Sequence, residues 1–205
     1  GVVVHHDQGN VELCSLCKCV GAGTSDADSG HDIRAWLAFV LGADEFAMIA
    51  DTSKLIRSLP GPSYLLESGQ AEQTVFWTDT ETGIECRARF DFIDLERGLA
   101  VDLKSTADIT PDGFGKSCTN FGYALQAVHY MDAMRALNGE EMVNWEAGEE
   151  IPKFYFLAVT KELPIEVALY ELVMEDLQKA AKIRRSALRK IRECTDAKEW
   201  PGLPN

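Results

Sequence analysis

Two short runs, Arg89-Phe90-Asp91-Phe92-Ile93 and Val101-Asp102-Leu103-Lys104, carry the residues of this chain best suited to chemistry. Each sets one acid in an apolar, strand-like context. The second adds a lysine two residues on, which strand alternation puts on the same face as its aspartate. Only the turn Leu95-Glu96-Arg97-Gly98 lies between the runs, so they read as neighbouring strands. Carboxylates that close repel one another and shift their pKa values unless a cation sits between them. A hard divalent cation is the natural occupant, because Mg2+ takes carboxylates together with water and phosphate oxygens. Lys104 would stand beside the attacking water, where it can orient the nucleophile or neutralise charge growing on a phosphate. The same residues would also serve as a structural cluster in which Asp91 and Asp102 pair with Arg87, Arg89 or Lys104.

Such a site needs strands to carry it and a helix to cover it, and the flanking sequence supplies both. Asp32 can cap a helix with Ile33, Trp36, Leu37, Val40 and Leu41 at helical spacing, and a second helix over Phe46 to Leu59 ends at Pro60-Gly61-Pro62. Strands are expected over Thr74–Thr78, Ile84–Asp94 and Leu99–Lys104, the first two joined by Thr80-Glu81-Thr82-Gly83. Ser105 to Gly122, with Pro111, Gly113 and Gly115, reads as a loop. A helix follows from about Phe121 to Leu137, with His129 expected at the surface, then strands over Phe154–Val159 and Ile165–Leu172, then a basic helix from Met174 to Cys194. This order gives an α/β (α+β) fold with a mixed central sheet flanked by helices. Residues 1–30 are expected to be poorly structured, and residues 31–205 to form one domain. At 205 residues and 46% hydrophobic, a chain can bury roughly 70% of its unfolded surface, so no disulfide or metal is needed for folding.

The formal net charge of -13 argues against general attraction to nucleic acid or anionic membranes. Seven of the 20 basic residues nevertheless fall on the last helix, among them Lys182, Arg185 and Arg189, which are candidates for phosphate contacts. The longest apolar run, Ala35 to Ala43, is far short of the roughly 20 residues that span a bilayer. No signal-like segment opens the chain, and a reducing cytoplasm is the expected compartment. A start at Gly1 rather than Met leads us to expect a fragment of something longer. Cys14, Cys17 and Cys19 are close enough to share a metal, but zinc needs a fourth ligand from His5, His6 or a distant cysteine. A non-catalytic module using that cluster is the competing expectation.

Asp91 followed by Asp102-Leu103-Lys104 resembles the PD-(D/E)xK nuclease signature, with Phe90 where the proline usually stands. Gln126-Ala127-Val128-His129-Tyr130 is similar to the Q-x-x-x-Y motif of the RecB-like branch, and i, i+4 spacing puts Gln126 and Tyr130 on one helical face. From Glu72 to Met134 the chain resembles the RecE-like (exonuclease VIII) nuclease family. The matching features are Glu72 before Val75-Phe76-Trp77, Cys86-Arg87-Ala88-Arg89 leading into Asp91, Val101 to Thr106, and Phe121-Gly122-Tyr123 ahead of Gln126; Trp200-Pro201-Gly202 resembles that group's ending.

The resemblance implies a restriction-endonuclease-like core and a Mg2+-dependent deoxyribonuclease, with Mn2+ able to substitute. It also implies 5′-to-3′ degradation of one strand of linear double-stranded DNA, leaving a 3′ single strand for an annealing recombinase in recombination or repair. Structure-specific or single-strand cleavage is the alternative within the superfamily, and ring-shaped homo-oligomers occur among its members. Asp91, Asp102 and the Leu103 carbonyl would hold the metal, completed by His31 (in Gly30-His31) or by Glu72. Lys104 would position the water, and Gln126 and Tyr130 would orient Lys104 or a phosphate.

Overall fold

The computed structural model describes residues 3–6, 42–139 and 151–202. Six strands form one sheet in sequence order: β1 (Val3–His6), β2 (Gln70–Thr78), β3 (Glu85–Asp94), β4 (Leu99–Thr106), β5 (Lys153–Thr160) and β6 (Val167–Glu171). All neighbours run antiparallel except β4 and β5, which are parallel from Leu99↔Lys153 to Thr106↔Thr160. A parallel pair requires a long crossover, and helices α3 (Pro111–Phe121) and α4 (Tyr123–Leu137) provide it. Helices α1 (Ala43–Ser58) and α2 (Pro60–Leu65) precede the sheet proper, and α5 (Met174–Ala197) closes the chain. The mixed sheet flanked by helices is the α+β fold anticipated above. The helix expected after Asp32 lies outside the described residues, as does all of the segment 1–30 except the edge strand Val3–His6. No helix among the described residues is long and apolar enough to cross a membrane.

Strand alternation sorts side chains into two cores. Ala100 on β4 and Phe154, Phe156 and Ala158 on β5 join Phe90 and Trp77 against Val128, Met131 and Met134 of α4 and Leu177 and Leu188 of α5. The opposite face sends Leu99, Val101, Leu157 and Val159 against Ile56 of α1 and Leu65 of α2. Asp102 and Lys104 continue the Ala100 side of β4, so the sheet aims them at α4.

One segment departs from expectation. Residues 111–121 form a helix and not a loop, because Thr110-Pro111 is an N-terminus signal: the Thr110 hydroxyl accepts the Gly113 N–H at 3.2 Å, and Pro111 occupies the first turn where no amide donor is needed. Gly113 is a packing residue here, since a Cβ would come within 2.1 Å of the Asp108 carboxylate. Gly122, at φ 68°, ends α3 in the left-handed conformation and starts α4 directly.

Below α4 lies a buried charge cluster. Arg184 of α5, 5% exposed, pairs with Asp132 at 2.8 Å and lies 3.6 Å from Asp79, while its Nε–H donates to His129 Nδ1 at 3.0 Å. His129 therefore carries its proton on Nε2 and donates it to the Arg87 carbonyl at 3.1 Å. Burial, then the Arg184 charge, holds this imidazole down to about 4, so it is neutral at pH 7. His129 is thus a half-buried structural residue, with its ring 4.7 Å from that of Trp77, and not a surface one. Removing the Arg184 cation leaves Asp79 and Asp132 buried around a lost charge. We expect Arg184→Met to lower unfolding free energy by about 3–5 kcal/mol in urea denaturation; a loss below about 1 kcal/mol would show that the cluster contributes nothing net.

Candidate active site

The sheet opens at Asp91. The β2–β3 ladder steps from Ala71↔Phe92 to Gln73↔Phe90, leaving Glu72 and Asp91 out of the pairing, and the β3–β4 ladder stops at Phe92↔Val101. Glu72 itself has φ 56°, a left-handed conformation that glutamate rarely adopts and that concentrates at functional sites. Where the β3 backbone no longer reaches β4, the Asp91 side chain does: its Oδ2 accepts the Leu103 N–H at 2.8 Å. The Leu103 amide is satisfied, and Asp91 is pinned beside Asp102.

On the α4 side of the opening, Asp102 is 4% exposed and meets the Lys104 ammonium at 2.5 Å. Gln126 joins the two with one amide, its Nε2 donating to Asp102 Oδ1 at 2.6 Å and its Oε1 accepting from Lys104 Nζ at 3.0 Å. Tyr130, one turn along α4, holds Gln126 in turn: its phenol hydrogen-bonds the Gln126 side chain and the Arg89 backbone, and its ring packs 4.8 Å from Phe90. Burial pushes the Tyr130 hydroxyl above its usual range, so it stays protonated at neutral pH. The Lys104 ammonium also lies 4.6 Å over the face of Tyr123 and 6.0 Å from Phe156, a cation–π cradle that sequence reading missed.

The electrostatics leave negative charge to spare. Burial, then the Asp102 charge, raises Asp91 to about 6, against the lowering effect of the Leu103 amide; Glu72 adds to the rise. Burial likewise raises Asp102, opposed by Lys104 and Gln126. One ammonium therefore does not balance both carboxylates. Asp102 Oδ2 is buried against the Lys104 ammonium at 2.5 Å, so a cation would bind this oxygen by displacing the ammonium. This donor set of hard, under-compensated oxygens, the carboxylates of Asp91 and Asp102, fits a divalent cation. Among the described residues, no three His, Cys, Asp or Glu side chains already converge as a ligand cluster.

Glu72 stands in the same neighbourhood: it bears on the Asp91 pKa, lines the same cavity as Asp91, and pairs with Arg89 at 2.8 Å. That cavity, about 490 Å3, lies between α1 and the sheet; its walls include Ile49, Ile56, Leu157 and Val159, and Arg57 and Lys161 also line it. Neither cation was singled out from the sequence, since each sits alone in an unremarkable run. Lys182, Arg185 and Arg189 are not among the residues lining this cavity. Both arginines clasp Glu81 of the β2–β3 turn, Arg189 at 2.6 Å, whereas Lys182 is exposed on α5. His31 and the Cys14, Cys17, Cys19 cluster lie outside the described residues; Cys86, Cys118 and Cys194 are free thiols.

Comparison with known proteins bears on the fold that carries this geometry. The model of the PDDEXK-like domain of unknown function (DUF3799) matches residues 39–204. A candidate exonuclease from Eubacterium rectale, known from a crystal structure, has a TM-score of 0.53 at 18% identity, covering 79% of this chain and 64% of that one. This chain thus spans somewhat less than two thirds of that protein's length. A phage related exonuclease from Haemophilus somnus 129PT gives a TM-score of 0.41 at 16% identity over 91% of this chain and 94% of that one. No protein of curated function matches the sequence. With most of its length matched, and with Asp91, Asp102 and Lys104 set where β3 and β4 part, the chain belongs to the PDDEXK-like DUF3799 family and so to the PD-(D/E)xK nuclease superfamily.

Proposed function

We propose that this nuclease is a metal-dependent exodeoxyribonuclease that degrades one strand of linear double-stranded DNA in the 5′-to-3′ direction, in recombination or repair. The observation that carries phosphodiester hydrolysis is the convergence of Asp91, Asp102, Lys104 and Gln126 at the opening between β3 and β4. The exonuclease reading draws on the RecE-like run from Glu72 to Met134 and on the name of the Eubacterium rectale protein. Asp91, Asp102 and the Leu103 carbonyl would hold Mg2+, with Glu72 or His31 completing the set. When bound, the cation supplies positive charge that draws a phosphate oxygen and a water into the site.

The chain's own residues then do the positioning. Gln126 fixes Asp102 and Lys104 relative to each other, and Tyr130 fixes Gln126. The Lys104 ammonium, held by Gln126 and the Tyr123 ring once the cation takes Asp102 Oδ2, would face the charge that grows on the phosphoryl oxygens as water adds to phosphorus and an ester P–O bond breaks. The proton lost by the water ends on the leaving oxygen. Phosphate contacts away from the reacting group would come from Lys182, with Arg185 and Arg189 contributing once released from Glu81. The remaining 3′ single strand is the kind of product that an annealing recombinase takes up.

Two measurements test this reading. With Mg2+ and end-labelled linear duplex, the protein should release nucleotides while leaving closed circular duplex intact, and Lys104→Met should cut the rate by about 100-fold or more. Equal rates for wild type and variant remove Lys104 from catalysis, and cleavage of circles removes the requirement for an end. The second measurement uses pH. Asp91 binds its proton more tightly folded than unfolded, so its contribution to stability falls as pH rises from about 4 to about 6 and stays low above that. In EDTA, Asp91→Asn should therefore match wild type at pH 4 and exceed it by roughly 2 kcal/mol at pH 7.5. Added Mg2+ should stabilise wild type and leave Asp91→Asn nearly unchanged. A variant weaker than wild type at pH 7.5 in EDTA contradicts the excess negative charge.

A further inference from the structure

The ring stack beneath Lys104 runs out to solvent. Its inner member, Phe156 on β5, is completely buried; Tyr123 stacks on it with centroids 5.4 Å apart and planes 26° from parallel. Phe121 continues the stack, 5.8 Å from Tyr123 and 25° from parallel, yet 72% of Phe121 is exposed. Gly122 makes this possible. Its φ of 68° turns the chain between α3 and α4 within one residue, so the last ring of one helix faces the first ring of the next. The stack is continuous with the active site, because Lys104 Nζ lies 4.6 Å over its middle ring.

Resting on the nuclease reading above, we propose that Phe121 is the outer face of a platform on which one unpaired nucleobase of the bound strand stacks. An aromatic face binds any base, and an exposed ring one step from a phosphate-directed lysine is the arrangement by which proteins hold single strands without reading sequence. Phe121 lies within about three stacked-base spacings of the Lys104 ammonium, taking ~3.4 Å per nucleotide along a strand. The platform therefore addresses a base near the reacting phosphate and not a distant part of the duplex. Its occupant is planar and belongs to the strand whose phosphate Lys104 meets, which favours a nucleobase over an apolar peptide side chain.

The test is binding by the full chain, with Ca2+ supplied in place of Mg2+, to a fluorescein-labelled single-stranded decathymidylate. Phe121→Ala should raise Kd about tenfold, the scale of one lost base–aromatic stack, while Phe121→Trp keeps the wild-type value. Both variants should melt at the wild-type temperature, since the ring is mostly outside the core. An abasic site moved along the strand should weaken wild-type binding at one position where it costs Phe121→Ala nothing further, the non-additivity expected of two groups in contact. Phe121→Ala binding like wild type, or abasic and alanine effects adding at every position, overturns the platform. If wild type cleaves DNA with Mg2+ and Phe121→Ala is indistinguishable from it in Kd and KM, only the platform falls. If wild type neither binds nor cleaves, the nuclease reading falls with it.

Discussion

The hydrogen bond from the Leu103 amide to the Asp91 carboxylate is the interaction on which the site depends. A strand amide normally satisfies itself on the neighbouring backbone. Here β3 and β4 are paired only from Phe92 to Asp94, and an acid side chain takes the place of the missing carbonyl. The substitution keeps a polar group from being orphaned, and it also fixes a carboxylate at the point where the sheet opens. The left-handed Glu72 on the other side of β3 belongs to the same irregularity, since the β2–β3 ladder also skips Asp91. Ladder bonds are given up where the chain gathers charge.

Everything behind that opening serves to hold it steady. The two aromatic and aliphatic cores grip the sheet from both faces, so β4 delivers Asp102 and Lys104 from a rigid strand rather than from a loop. On α4, Gln126 and Tyr130 reach the site, while His129 and Asp132 face Arg184. One helix thus fastens the acids on the sheet and is itself fastened to α5. The neutral His129 matters to this: its two ring nitrogens join the Arg87 carbonyl and the Arg184 guanidinium, and protonation below about pH 4 would break the second bond.

The placement of the site residues was legible in the sequence because it follows local periodicities. Asp102 and Lys104 share a face by the two-residue period of a strand, and Gln126 and Tyr130 by the four-residue spacing of a helix; the structure brings the two pairs together. The splayed ladder was not legible, since nothing in Arg89 to Ile93 marks the residue at which pairing stops. Helix α3 was hidden by Gly113 and Gly115, although Thr110-Pro111 announces it. His129 looked like a surface residue because its partners come from distant places: Trp77 and Arg87 on the β2–β3 hairpin and Arg184 on α5. The pairing of the basic helix was hidden in a similar way. Arg184 is interior, and Arg185 and Arg189 pair with Glu81, so sequence charge overstated the free cationic surface of α5.

The central claim is that Asp91 and Asp102 hold more negative charge than Lys104 can balance, and that a divalent cation supplies the difference. A crystal of the protein soaked in Mn2+, with an anomalous difference map, addresses it most directly. The account predicts one strong peak in contact with the carboxylates of Asp91 and Asp102, with the Lys104 ammonium moved off Asp102 Oδ2 and the neighbouring upstream ligand revealed. A map with no peak there at saturating Mn2+, and with Lys104 still seated on Asp102, would contradict it.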